Sequence, residues 1–189
     1  ALWVKSAGGL NCFDEAISVA TDVAGNIAVA GYFESPSITI GATTLTNVGG
    51  RDLFVARYSP LGAALWAKSA GGSTTDNATS VTTDTSGNVI AAGFYWSSTI
   101  TFGTFTLTNS GGTDLFITKY DVSGNVIWAL SEYGVGSEQV SAITTDPVGN
   151  IIAAGSFITS NLTFGQTTLT SIGSFDIFIV KFDGSGSAL

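Results

Sequence analysis

Apolar residues in this sequence come in short runs separated by turn-forming residues, and no run has helical spacing. Segments such as IAVAGYF from Ile27 and LFVARY from Leu53 do not alternate cleanly, which is the pattern of strands covered on both faces. The longest apolar runs, Ile27–Ala30 and Val89–Ala92, stop at a glycine, far short of the ~20 residues a spanning helix needs. Ala16–Thr21 and Ile27–Phe33 flank a turn in which Gly25 and Asn26 tolerate positive φ, so they predict a hairpin. ITIGATTLT from Ile38 predicts a smaller hairpin or an elaborated connection. Leu53–Tyr58 is a third main strand, and a Pro-Leu-Gly turn leads to a fourth, Ala64–Ser69, which carries Trp66.

This order of elements occurs three times. Trp3, Trp66 and Trp128 lie 63 and 62 residues apart, each after an aliphatic residue. TDVAGN from Thr21 returns as TDTSGN from Thr83 and TDPVGN from Thr145, with Gly31, Gly93 and Gly155 at one offset. SITIGATTLT, TITFGTFTLT and NLTFGQTTLT follow, and RDLFVARY, TDLFITKY and FDIFIVKF close the units. The repeats run 1–63, 64–125 and 126–189.

Four antiparallel strands per unit, Gly-rich turns and this period predict an all-β chain of three β-propeller-type blades. A four-stranded sheet with two apolar faces needs a neighbouring sheet on each. The residues Trp66-Ala67-Lys68-Ser69-Ala70-Gly71-Gly72, the Asp-x-x-Gly-Asn turn and Asp114-Leu115-Phe116-Ile117-Thr118-Lys119-Tyr120 resemble the bacterial and archaeal seven-bladed β-propeller repeat family (SBBP-type repeats). The likeness covers the whole chain and implies architecture above all, in secreted or surface-attached proteins without an assigned activity. The third unit departs from the pattern at Leu130-Ser131-Glu132-Tyr133. Propellers close with roughly four to eight blades, so three leave apolar faces and strand edges to be covered. More blades of a longer chain, or other copies of this one, are the expected partners.

Composition narrows the chemistry. Only 11% of residues are charged, the net charge is −8, and there are six basic residues and no His. That balance argues against nucleic acid and anionic membrane surfaces, which need Lys and Arg. Without His, neither a Ser-His-Asp triad nor a Cys-His pair is available, and one Cys without His makes zinc implausible. Cys12, beside Phe13, is expected to pack as a small hydrophobe. No cofactor and no metal are expected.

The remaining candidates are repeated or isolated polar groups. Asp22, Asp84 and Asp146, with Gly25, Gly87 and Gly149 and Asn26, Asn88 and Asn150, read as side-chain-capped turns in preference to Ca²⁺ loops, because no D-x-D-x-D run is present. Asp52, Asp114 and Asp176 precede Arg57, Lys119 and Lys181 by five residues and are expected to form ion pairs with them or to link blades. Asp14, Glu15, Glu132 and Glu138 are the non-repeated acids near the corresponding loops and the candidates for carboxylate-based hydrolysis. Phe94-Tyr95-Trp96 is an unmatched aromatic cluster in which Trp96 and Tyr95 are candidates for stacking on sugars. Asn77 and Asn161 match the N-glycosylation pattern. Together these readings favour a non-enzymatic extracellular or cell-surface structural and interaction module, with a carbohydrate-binding propeller as the alternative.

Overall fold

The computed structural model describes residues 2–10, 12–132 and 134–189. The first sheet and its hairpin comprise Asp14–Thr21 (β1), Ile27–Phe33 (β2), Ser37–Ile40 (β3), Thr43–Thr46 (β4), Asp52–Tyr58 (β5) and Ala64–Ala70 (β6). The second sheet and its hairpin comprise Asp76–Thr83 (β7), Val89–Tyr95 (β8), Thr99–Phe102 (β9), Phe105–Thr108 (β10), Asp114–Tyr120 (β11) and Val126–Leu130 (β12). The third sheet and its hairpin comprise Glu138–Thr145 (β13), Ile151–Phe157 (β14), Asn161–Phe164 (β15), Thr167–Thr170 (β16) and Asp176–Phe182 (β17). All are antiparallel to their sheet neighbours, in the orders β1-β2-β5-β6, β7-β8-β11-β12 and β13-β14-β17, giving propeller-like blades. No helix of the described residues is long and apolar enough to cross a membrane.

One expectation needs correction. The third sheet has three strands, not four, because among the described residues only Ala188 bridges back to Phe182 after β17. The ITIGATTLT segments take the first of the two forms expected of them, a separate two-stranded hairpin. Their inward residues, such as Ile38, Ile40 and Leu45, are buried in a cluster with Phe33, Phe54 and Ala67. Their outward threonines pair across the hairpin, as in Thr39–Thr44 (3.1 Å), Thr101–Thr106 (3.0 Å) and Thr163–Thr168 (3.0 Å). Period-two alternation therefore returns in these short strands, while β8 and β11 of the middle sheet lack it because both their faces are covered.

The sheets stack face to face. Leu53 and Val55 of β5 meet Ala78 and Val81 of β7, and Leu115 and Ile117 of β11 meet Val140 and Ile143 of β13. Matching hydrogen bonds reinforce both seams. Val81 N–H donates to Ser18 Oγ (3.1 Å) and Ile143 N–H to Ser80 Oγ (3.1 Å). The Thr83 hydroxyl donates to the Thr21 carbonyl (3.0 Å), and that of Thr145 to the Thr83 carbonyl (2.8 Å).

The first strand of every sheet bulges at one place, between Ala16 and Ser18, Ala78 and Ser80, and Val140 and Ala142. The bulge presses a backbone carbonyl onto the glycine opposite, so a Cβ on Gly31, Gly93 or Gly155 would overlap the carbonyl oxygen of Glu15, Asn77 or Gln139. That contact is the physical reason for the repeated glycine. Gly93→Ala is expected to lower unfolding free energy by about 3 kcal/mol or more, on the scale of overpacked cores. Gly173→Ala, where a Cβ meets nothing within 4 Å, should change it by under about 0.5 kcal/mol. Urea denaturation of the two variants checks both.

Candidate functional site

The repeated polar groups assemble at the seams. In each TDxxGN turn the aspartate accepts from its own backbone: Asp22 Oδ1 takes the N–H groups of Ala24 and Asn26, both at 2.9 Å, and Oδ2 takes the Asn26 amide at 2.9 Å. Asp84 and Asp146 repeat this arrangement with Asn88 and Asn150. Gly25, Gly87 and Gly149 adopt φ of 79°, 78° and 87°.

The basic residues do not pair as the five-residue offset suggested. Arg57 binds Asp22 at 2.5 Å, Lys119 binds Asp84 at 3.0 Å and Lys181 binds Asp146 at 2.8 Å. Residues five apart on a strand lie roughly 17 Å apart and point to opposite faces, so Asp52, Asp114 and Asp176 are out of reach. Sheet register instead sets Arg57 opposite Ala28, one residue from where the Asp22 turn enters β2.

Each buried base also reaches the next sheet. Arg57 Nη1 donates to the Val122 carbonyl (2.8 Å) and Lys119 Nζ to the Gly184 carbonyl (3.0 Å). The same two carbonyls accept the indole N–H of Trp66 (3.2 Å) and Trp128 (3.3 Å). The Trp66 ring lies over Gly124 of that turn and beside Tyr120, with ring centroids 5.6 Å apart. Trp3 bonds the Pro60 carbonyl (3.0 Å) and stacks on Tyr58 in the same way. Sequence reasoning found these Trp positions as markers of the period but not their role as clamps on the following turn.

Burial opposes ionisation of Asp22 and Asp84, yet the Asn amides, backbone N–H groups and basic partners outweigh it and hold both carboxyls below the usual range. For Asp146 the Lys181 ammonium is the first cause of a similar lowering. With their lone pairs taken up in this way, the turn acids are not free to ligate a metal.

At the opposite end of the sheets lies a second row of acids. Asp76 and Asp114 flank Tyr95, and Asp52 is buried beside Asp76 across the seam, where Asp76 N–H bonds the Arg51 carbonyl at 2.9 Å. Asp52 accepts one bond, from Val48 N–H (3.0 Å) to Oδ2, and its Oδ1 has no partner. Burial, with a smaller contribution from the Asp76 charge, pushes its carboxyl up to about 6. Burial likewise raises Asp114 and takes Glu132 and Glu138 to about 7. Asp176 is only half-buried and accepts Ile172 N–H at 2.7 Å. Asp14, at the first-sheet position equivalent to Asp76, bonds Ser35 and three backbone N–H groups, while Glu15 accepts the Tyr32 hydroxyl at 2.9 Å.

Several isolated candidates are displaced by the structure. Tyr95 is fully buried, with its hydroxyl donating to Ser131 Oγ at 3.2 Å, so it cannot stack on a ligand. Trp96, 60% exposed, stands on the surface because alternation turns the two residues apart. Asn77 is buried on β7 and closed to glycosylation, whereas Asn161 is exposed at the start of β15. Cys12 is free and exposed and does not pack into a core. Of the segment where the third unit departs from the pattern, Tyr133 lies outside the described residues. A cavity of about 200 Å³ lies between Trp3, Tyr58, Phe54 and Ile40, where the other repeats place the larger Phe102 and Phe164.

The buried pairs and the opposed carboxyls give three expected outcomes. Arg57→Ala leaves the Asp22 charge buried and two turns unlatched, and should cost about 3–5 kcal/mol in urea unfolding. Lys181→Ala, at an ion pair whose lysine is 46% exposed, should leave the midpoint close to wild type. Asp52 holds its proton more tightly folded than unfolded, so its contribution to stability is lost as pH rises from about 4 to about 6. Asp52→Asn should flatten that decline and gain on the order of 1–3 kcal/mol at pH 8, read from unfolding curves across pH.

No protein-family model matches the chain. An uncharacterised WD repeat-containing protein of Acanthamoeba polyphaga mimivirus is 26% identical over 186 residues, an alignment covering 87% of this chain. The chain spans 13% of that relative's length. The chain is thus similar to a WD repeat-containing protein, and its repeated, stacked antiparallel sheets are propeller-like.

Proposed function

We propose that the chain is a non-enzymatic structural and interaction module of the SBBP type, at the cell surface or outside the cell, whose end faces take further units of the same repeat. The observation that carries this reading is the contrast between equivalent positions. Leu115 and Ile117 are fully buried in the second seam, while their third-sheet counterparts Ile177 and Ile179 are 81% and 73% exposed. At the other end Val19 is 66% exposed, while Val81 and Ile143 are 4% and 7% exposed. One end therefore presents the surface that the other end is built to cover, an arrangement that propagates head to tail. Contiguous exposed apolar faces of this kind mark interaction surfaces.

The sparing use of charge, with exposed Thr pairs on the hairpins, supports the extracellular assignment. The exposed indole of Trp96 favours the second reading, a carbohydrate-binding propeller, and a glycan array separates the two. Sedimentation velocity over a range of concentrations tests the first. Association is expected, and Val19→Asp or Ile179→Asp should each weaken it without changing the β-sheet circular dichroism. A chain that stays monomeric at every concentration removes the assembly reading.

A further inference from the structure

The two seams differ at one point. In the first, the Asp76 carboxylate is saturated: it accepts Gly72 N–H (2.8 Å), Trp96 N–H (3.1 Å), Ser97 N–H (3.1 Å) and the Ser97 hydroxyl (2.7 Å). In the second, the equivalent residue is Glu138, one methylene longer. It is fully buried, and neither Oε1 nor Oε2 has a hydrogen-bond partner. Across the seam, Asp114 is also fully buried. Its Oδ2 accepts Ser110 N–H (2.9 Å) and the Ser110 hydroxyl (3.3 Å), and its Oδ1 has none. The Glu138 N–H bonds the Thr113 carbonyl at 2.7 Å and so fixes the two acids side by side.

Two carboxyls with three unpartnered oxygens are thus held together away from water. Such a pair needs a proton or a cation, because an uncompensated buried carboxylate costs several kcal/mol. A way in exists. A surface cleft lined by Ser110, Gly134, Val135 and Thr159 opens next to the pair, and Gly134 lies directly against Glu138 Oε1. The ligand atoms within reach are all oxygen, from the two carboxylates and the Gly134 carbonyl, which also accepts the Ser110 hydroxyl (2.9 Å). That set suits a hard cation with a flexible shell of six to eight oxygens and does not suit zinc or copper. Among the described residues no three His, Cys, Asp or Glu side chains converge, so carbonyls and water must complete the shell.

We propose that Asp114 and Glu138 form a Ca²⁺ site in the second seam, entered through the cleft at Ser110, Gly134 and Thr159. The break in the repeat then has a purpose: the longer side chain forgoes the donors that saturate Asp76 and frees its oxygens for the ion. The test is thermal unfolding and calorimetric titration of the EDTA-stripped chain at pH 8 with CaCl₂. Ca²⁺ should bind at one site per chain and raise Tm saturably. Glu138→Asp restores the residue of the other repeats, so it should fold and lose the response, and Asp114→Asn should lose it too. If wild type shows no Ca²⁺ response, and Tm falls through pH 7 equally with and without the ion, the pair holds a proton and the proposal is wrong. A response kept in Glu138→Asp equally overturns it.

Discussion

Arg57 makes two attachments in two sheets: to the Asp22 carboxylate of its own hairpin turn and to the Val122 carbonyl of the next sheet's turn. Lys119 repeats this between Asp84 and Gly184. The register of the stack depends on this latch together with the serine and threonine bonds of the same seams, because sheets joined by apolar contact alone have no fixed register. Hydrophobic burial is non-directional, whereas a charged group shared between two turns permits one offset. Trp66 and Trp128 add an apolar body and a single N–H to the same carbonyls, so each seam is pinned by polar bonds and covered by rings at one edge.

The opposite edge is built on another principle. There the backbone bonds from Asp76 and Glu138 to the neighbouring sheet bring carboxyls together, without basic partners. Ionisation strengthens the first edge, while at the second burial opposes it at Asp52, Asp114 and Glu138. The stack responds to proton concentration at both edges in opposite senses, and the balance between them is set by how well each acid is supplied with donors.

Much of this was legible in the chain. The period, the hairpin turns and the doubly covered strands followed from residue spacing and from apolar runs that ignore alternation. The pairing of bases with acids did not, because a fixed offset within one strand says nothing about which turn the register brings alongside. Tyr95 illustrates the same gap: its neighbours read as an aromatic patch, but the pleat sends it inward and leaves Trp96 outside. The isolation of Glu138 was visible only as a departure from symmetry; its lack of donors depends on one methylene of reach. Asn77 fits a modification pattern that takes no account of burial.

The sheets do not coincide with the sequence period. The strand that opens the second and the third period, with its Trp, completes the sheet of the period before, so β6 and β12 belong to one unit by sequence and to another by hydrogen bonding. The polypeptide thus stitches every sheet to its neighbour covalently. For a gene built of tandem copies, this has an evolutionary consequence. Adding or deleting one whole period by unequal recombination, wherever the crossover falls, still delivers four strands to each interior sheet and meets the same latch at each junction. Array length can change in a single genetic event, with no new interface to be invented.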